Sequence, residues 1–244
     1  MRRRSSQPHR FRRAAGVIAL AAMVMTSCSQ SAQSKAEQRI AERTKQLQDL
    51  ARKLQATKEE LAGMDIPGLA DQLQADSERQ LEPFNSLAYQ EMVSRGQEAA
   101  DPLRGELTSP DRASMLGLLA LRQMSQPVYR ELDTSFRVSV LIDSLRSSRY
   151  FNAWGLPHLY WEEPAKAIIE EGRAAQKPLT ELLQDVRPAP MWGEEEVVEY
   201  QRYQYRVKDY AWALLLSILG EKVDIPTDPG ARDELIAQLS EGPG

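Results

Sequence analysis

A single cysteine, Cys28, stands in this 244-residue chain, and that limits how it can fold. No intramolecular disulfide can form, so stability must come from a packed core. Residues 84–244 offer about 160 residues, enough for one sizeable core. Their patterns are helical. Ser109-Pro110-Asp111 reads as a helix start, with a capping hydroxyl, Pro at the first helical position and an early acid. Glu163-Pro164 and Asp228-Pro229 read as two more. Strand signals are sparse. Residues 137–142 form the only β-branched run, and Phe136, Val140 and Leu141 also suit a helix. The expected class is all-α: a long N-terminal helix, then a stacked or irregular helical body.

Cys28 also closes a targeting pattern. Arg2, Arg3, Arg4, Arg10, Arg12 and Arg13 precede an apolar run over residues 14–25, and Met25-Thr26-Ser27 leads into the cysteine. Basic, then apolar, then small is the order of a secretory signal over residues 1–27. About a dozen apolar residues fall short of the roughly 20 that a spanning helix needs. A cysteine directly after the small residues resembles the lipobox of bacterial lipoproteins. That resemblance implies cleavage before Cys28 and fatty chains such as palmitate on it. The mature chain, 28–244, would then be lipid-anchored at the extracytoplasmic face of a cell-envelope membrane, inner or outer. Two or three chains anchor stably where one does not. Cleavage removes six arginines and no acid, so 31 basic against 35 acidic residues becomes 25 against 35, a net charge of −10. Such a body does not favour nucleic acid or anionic lipid surfaces.

Residues 28–64 are polar, rich in Ala, Gln, Lys and Glu, and favour helix. Ile40, Leu47, Leu54 and Leu61 recur every seven residues, with Leu50 and Met64 at a second seam position. That is coiled-coil spacing, interrupted by Arg43 and Thr57. It supports either homo-oligomerisation through residues 36–64 or one solvated spacer helix reaching roughly 50 Å. Gly63, Pro67 and Gly68 end this segment. Residues 65–83 read as a linker with a short helix over 69–81, and the body as 84–244.

The body contains an internal echo. Residues 96–103 and 172–179 share Gly, Ala, Pro and Leu at matching places, each leads to a further Leu, Leu107 or Leu183, and each precedes an apolar helix, over 112–124 and 207–219. A first helix of this kind with an apolar partner resembles the helix pairs of HEAT or armadillo repeats. The resemblance implies a HEAT-like α-solenoid, with residues 134–147 and 231–239 supplying further helices. An irregular bundle is the alternative. In either case one pair cannot bury its apolar face alone.

Aromatic residues crowd into 150–161 and 192–212. Gly155 and Pro157 prevent a continuous helix through the first stretch, which reads as an aromatic loop. Tyr and Trp are enriched at binding hot spots. Tyr150, Trp154, His158, Tyr160, Trp161, Trp192, Tyr200 and Tyr203 are therefore the candidate partner-binding residues, while Phe151 and Trp154 also suit a core plug.

Catalytic signals are weak. His158 is the lone histidine after cleavage, no Gly-x-Ser-x-Gly turn or phosphate-cradling loop occurs, and a His/Cys metal site lacks ligands. No catalytic residue, cofactor or metal is assigned. Glu162, Glu163 and the 194–196 glutamates would serve a glycan-acting enzyme only if folding set two of them across a cleft. The run 194–196 also suits a helix N-terminus, where negative charge is favourable. The leading expectation is a non-enzymatic envelope scaffold that binds a protein partner. A passive tether, oligomerising through its N-terminal helix, comes next.

Overall fold

The computed structural model describes residues 11–109, 112–222 and 224–241, and side-chain burial for 35, 37–109, 112–222 and 224–239. The expected basic start at residues 2–10, and the side chain of the lipidation candidate Cys28, lie outside the described residues. The chain is predominantly helical. It divides into two units, 1–59 and 60–244.

The described residues of the first unit belong to α1 (Phe11–Gly63). Ile40, Leu47, Leu50 and Leu54 are all exposed. Among the described residues, no helix is long and apolar enough to cross a membrane.

The second unit begins at the end of α1, where Leu61 is buried. Next comes α2 (Ile66–Glu78). Within the stretch 65–83, expected as a linker with a short helix, α2 packs into the core. Asp65 caps it through Gly68 N–H at 2.9 Å, and Pro67 is tolerated in the first turn, where its missing N–H would be unpaired anyway. Ile66, Leu69, Ala70 and Leu73 follow at helical spacing, and Leu69 and Leu73 are fully buried.

Helices α3 (Leu87–Ser94), α4 (Ala100–Leu107), α5 (Met115–Met124) and α6 (Gln126–Glu131) follow. The cap of α5 is Ser114, five residues beyond the expected Ser109, and it accepts from Gly117 N–H at 3.1 Å. Every residue from Met115 to Leu121 is buried, because α2, α3, α4, α6, α7 and α8 all pack on α5. These last two are α7 (Thr134–Ser147) and α8 (Glu163–Glu171). Residues 137–142 are thus helical, capped by Asp133 to Phe136 N–H. Then come α9 (Arg173–Leu182), α10 (Glu194–Tyr203), α11 (Val207–Leu219) and α12 (Pro229–Glu241).

The sequence echo has a structural counterpart. Gly96 and Gly172 both have positive φ, at 66° and 58°, which Gly adopts without Cβ strain. Each leads into a helix that packs on an apolar partner, α4 on α5 and α9 on α11. Leu103 and Leu179 are fully buried at matching places.

Candidate functional site

The aromatic loop contains the described strands, β1 (Gly155–Leu156) and β2 (Tyr160–Trp161), paired antiparallel. Gly155 makes that pairing possible. Its φ is 85°, and a Cβ there would lie 2.5 Å from the Tyr160 carbonyl oxygen and 2.9 Å from Glu162 N. The Gly155 carbonyl accepts from the Tyr210 hydroxyl at 2.8 Å, fixing the ribbon to α11.

Folding brings the two aromatic stretches together. Phe151 N–H donates to the Pro190 carbonyl at 2.9 Å. Asn152 donates to the Trp192 carbonyl at 2.6 Å and accepts from Trp192 N–H at 2.8 Å. Tyr150 and Trp192 meet edge to face, with centroids 5.3 Å apart. Inside, His158 stacks on Tyr203 at 4.2 Å, Tyr203 on Tyr205 at 5.0 Å, and Phe151 leans on Tyr210 at 4.7 Å.

The eight aromatic candidates therefore separate. Tyr150, Tyr160 and Trp192 are exposed. Trp161 is half-buried and donates to Ser217 Oγ at 3.2 Å, and Tyr200 packs against the core. Trp154 and Tyr203 are both buried, Trp154 in the core-plug position that it also suited, so neither ring is exposed for contact. Trp154 plugs the core with its indole N–H bonded to Ser148 Oγ at 2.9 Å, and Tyr203 is sandwiched between His158 and Tyr205. Phe151 is likewise fully buried.

His158 is half-buried. Its Nδ1 is 2.8 Å from the Tyr205 hydroxyl, and its Nε2 is 3.1 Å from Glu199 Oε2. Burial lowers its pKa, and the opposing pull of the Glu199 carboxylate does not outweigh that.

Next to the ribbon lies a cleft of about 670 Å³, a size typical of ligand sites. Its walls include Phe84, Tyr89, Val93, Ala153, Tyr160 and Pro164. Its carboxylates are Glu82, Glu162, Glu163 and Glu196. Glu162 is the N-cap residue of α8, and Glu196 sits in the first turn of α10 beside Glu194 and Glu195. Glu163 is committed elsewhere, to Arg122 at 2.8 Å and Lys166 at 2.9 Å. Glu162 and Glu196 make no ion pair or side-chain hydrogen bond among the described residues, and Glu82 accepts only from Asn85 at 3.3 Å. Burial, then repulsion from Glu162 and Glu196, pushes the Glu82 carboxyl above its ordinary pKa. The Tyr160 hydroxyl rises for the same reasons, burial first and then Glu196. Tyr89 is pushed up to about 12, mainly by burial and then by Glu163.

A second cleft of about 520 Å³ shares Tyr160 and Glu196 with the first and reaches His158, Glu194, Glu195, Glu199 and Arg202. Among the described residues, no group of three His, Cys, Asp or Glu side chains could hold a metal ion.

Glu82, Phe84 and Tyr89 did not stand out in the sequence. Two of them flank Pro83, in and beside a stretch that reads locally as a linker, and only the fold sets them opposite Glu162 and Glu196. No protein-family model, curated protein or solved structure matches the chain.

Proposed function

We propose that this chain is a bacterial envelope lipoprotein that holds a protein partner without catalysing a reaction. In this reading the signal is cleaved before Cys28, lipid chains on Cys28 anchor the protein, and the helix over 28–64 sets the body away from the membrane. The body would be a HEAT-like stack of helix pairs, in keeping with the packing of α4 on α5 and of α9 on α11. The observation that carries the partner-binding role is the paired cleft. It offers apolar and aromatic walls beside carboxylates that the protein itself leaves unpaired. Enclosed apolar surface next to unpaired charge is what a binding hot spot uses.

Photo-crosslinking in cells from positions 84 and 192, beside a Cys28→Ala control, tests this. The expected result is one discrete partner, with membrane association and crosslink both lost in the control. Membrane association retained by Cys28→Ala would refute the anchor, and no partner from either position would refute the binding role.

A second reading is a passive tether that self-associates through residues 36–64. It is favoured by the exposure of Ile40, Leu47, Leu50 and Leu54 in one heptad register. Mass in solution, with and without residues 29–63, separates the two. A glycan-acting enzyme would use Glu162 and Glu196 across the cleft. Glycan cleavage abolished by Glu162→Gln or Glu196→Gln would replace the binding reading.

A further inference from the structure

The polar groups that line the larger cleft divide into two kinds. Its amides are partly engaged within the protein. Gln123 Oε1 accepts from the Tyr89 hydroxyl at 2.5 Å. Both ends of the Asn152 amide bond to the Trp192 backbone. Gln90 Nε2 donates to the Phe84 carbonyl at 2.6 Å. The charged groups that remain for a ligand are the carboxylates of Glu82, Glu162 and Glu196, and ionised carboxylates only accept hydrogen bonds. A ligand there must bring donors, and an acidic cleft selects donors that carry positive charge.

We infer that the two adjoining clefts take an extended basic peptide segment of a partner protein, with a Lys or Arg head among Glu82, Glu162 and Glu196. This rests on the partner-binding reading above and names the chemistry of the partner.

Three features favour a peptide over a free amine or a sugar. First, the walls beside the carboxylates are apolar and aromatic. Phe84 is 70 % exposed and Tyr160 is 38 % exposed, although both line the cleft. Such walls suit the aliphatic stem of Lys or Arg and a ring-face contact with its charge. Second, the site is elongated. The smaller cleft continues past Tyr160 and Glu196 to Glu194 and Glu195, so a second basic residue finds carboxylates there, with Arg202 and the His158-bound Glu199 on the same wall. An extended peptide places alternate side chains on one face, a few ångströms apart along the groove. Third, the clustered carboxylates favour donors that carry positive charge, which a neutral sugar lacks. Burial, and then repulsion from Glu162 and Glu196, lifts Glu82, and a cation entering among the three relieves that repulsion.

The test uses the full chain in detergent micelles and a short fluorescent peptide that alternates Lys and Trp. Binding is followed by fluorescence anisotropy at low and physiological salt. The expected result is saturable binding that weakens with salt, is absent for the same peptide with Glu in place of Lys, and falls about tenfold or more in Glu162→Gln/Glu196→Gln. Glu42→Gln, on the exposed α1, should leave it unchanged. An unchanged thermal midpoint in the double variant shows that the loss is not unfolding. Equal binding by the double variant would overturn the proposal. So would full competition by spermine at equal charge concentration, which points to a small-amine site, or preferential binding of an N-acetylglucosamine oligomer, which points to a glycan. If the peptide fails while a partner still crosslinks in cells, the chemistry assigned to the partner is wrong and the partner-binding reading stands.

Discussion

Carboxylates occur in two settings in this molecule, and the contrast separates what holds the fold from what faces outward. In the interior, each is answered. Glu171 receives the Arg137 guanidinium at 2.8 and 2.9 Å and the Tyr129 hydroxyl at 2.8 Å. Asp209 lies between Arg206 at 2.9 Å and Arg232 at 3.1 Å, and Arg232 also bonds the carbonyls of Pro226, Thr227 and Tyr203. Burial by itself would lift the Glu171 pKa, but the Arg137 and Tyr129 contacts bring it below the ordinary value. At the cleft, Glu82, Glu162 and Glu196 cluster with no cation at ion-pair distance among the described residues, and Glu82 moves the opposite way. A buried charge without a partner would cost several kcal/mol, so interior acids exist only as pairs. A partly solvated acid can stay unpaired and remain available to a ligand.

The interior pair should give the largest effect. Arg137→Ala removes the two close guanidinium contacts from buried Glu171, leaving the Tyr129 hydroxyl and the more distant Arg130 at 3.7 Å, and should cost about 3–5 kcal/mol in denaturant unfolding. A loss below about 1 kcal/mol would dissolve the contrast. Gly155→Ala should come next, at about 1–3 kcal/mol, because it combines a positive φ with a backbone clash. Near-UV circular dichroism should register the disturbed aromatic ribbon.

The pH dependence sharpens the comparison through its sign. Glu171 and Asp233, the latter held at about 2 by Arg206 and then Lys208, have depressed values in the fold. Their stabilisation is present above the ordinary carboxylate range and lost as pH falls toward those depressed values. Glu82 behaves oppositely. Its raised value favours the fold below the ordinary range, and that advantage is lost as pH rises through the folded value. Glu82→Gln should therefore stabilise slightly at pH 7, by less than about 1 kcal/mol, and the gain should vanish near pH 3 in thermal melts. Trp192→Ala should be the smallest change, within about 0.5 kcal/mol, because this ring is 62 % exposed. A larger loss would place Trp192 in the fold rather than on the contact surface.

Several element ends were legible because local chemistry sets them. Residues 134–147 and 207–219 read as helices and are α7 and α11. Glu163-Pro164 opens α8, Asp228 caps α12 through Ala231 N–H at 2.8 Å, and the 194–196 glutamates occupy the first turn of α10. The misreadings arose where a local signal had two meanings. Gly63 and the Pro67-Gly68 run mark a break where α1 does end, yet Pro suits a first turn, so α2 begins at Ile66 rather than at Leu69. Trp154 and Tyr203 carried the composition of a binding surface, but composition does not say which way a ring faces.

Helix class and most helix ends follow from the chain read a few residues at a time, since caps, Pro positions and apolar periodicity act over one or two turns. The charge pattern does not. Arg137 meets Glu171 across 34 residues, and Glu82 comes to share a cleft with Glu162 and Glu196. Whether a carboxylate is neutralised or left open depends on what lies within a few ångströms of it. Only the packing of helices distant in sequence supplies those neighbours.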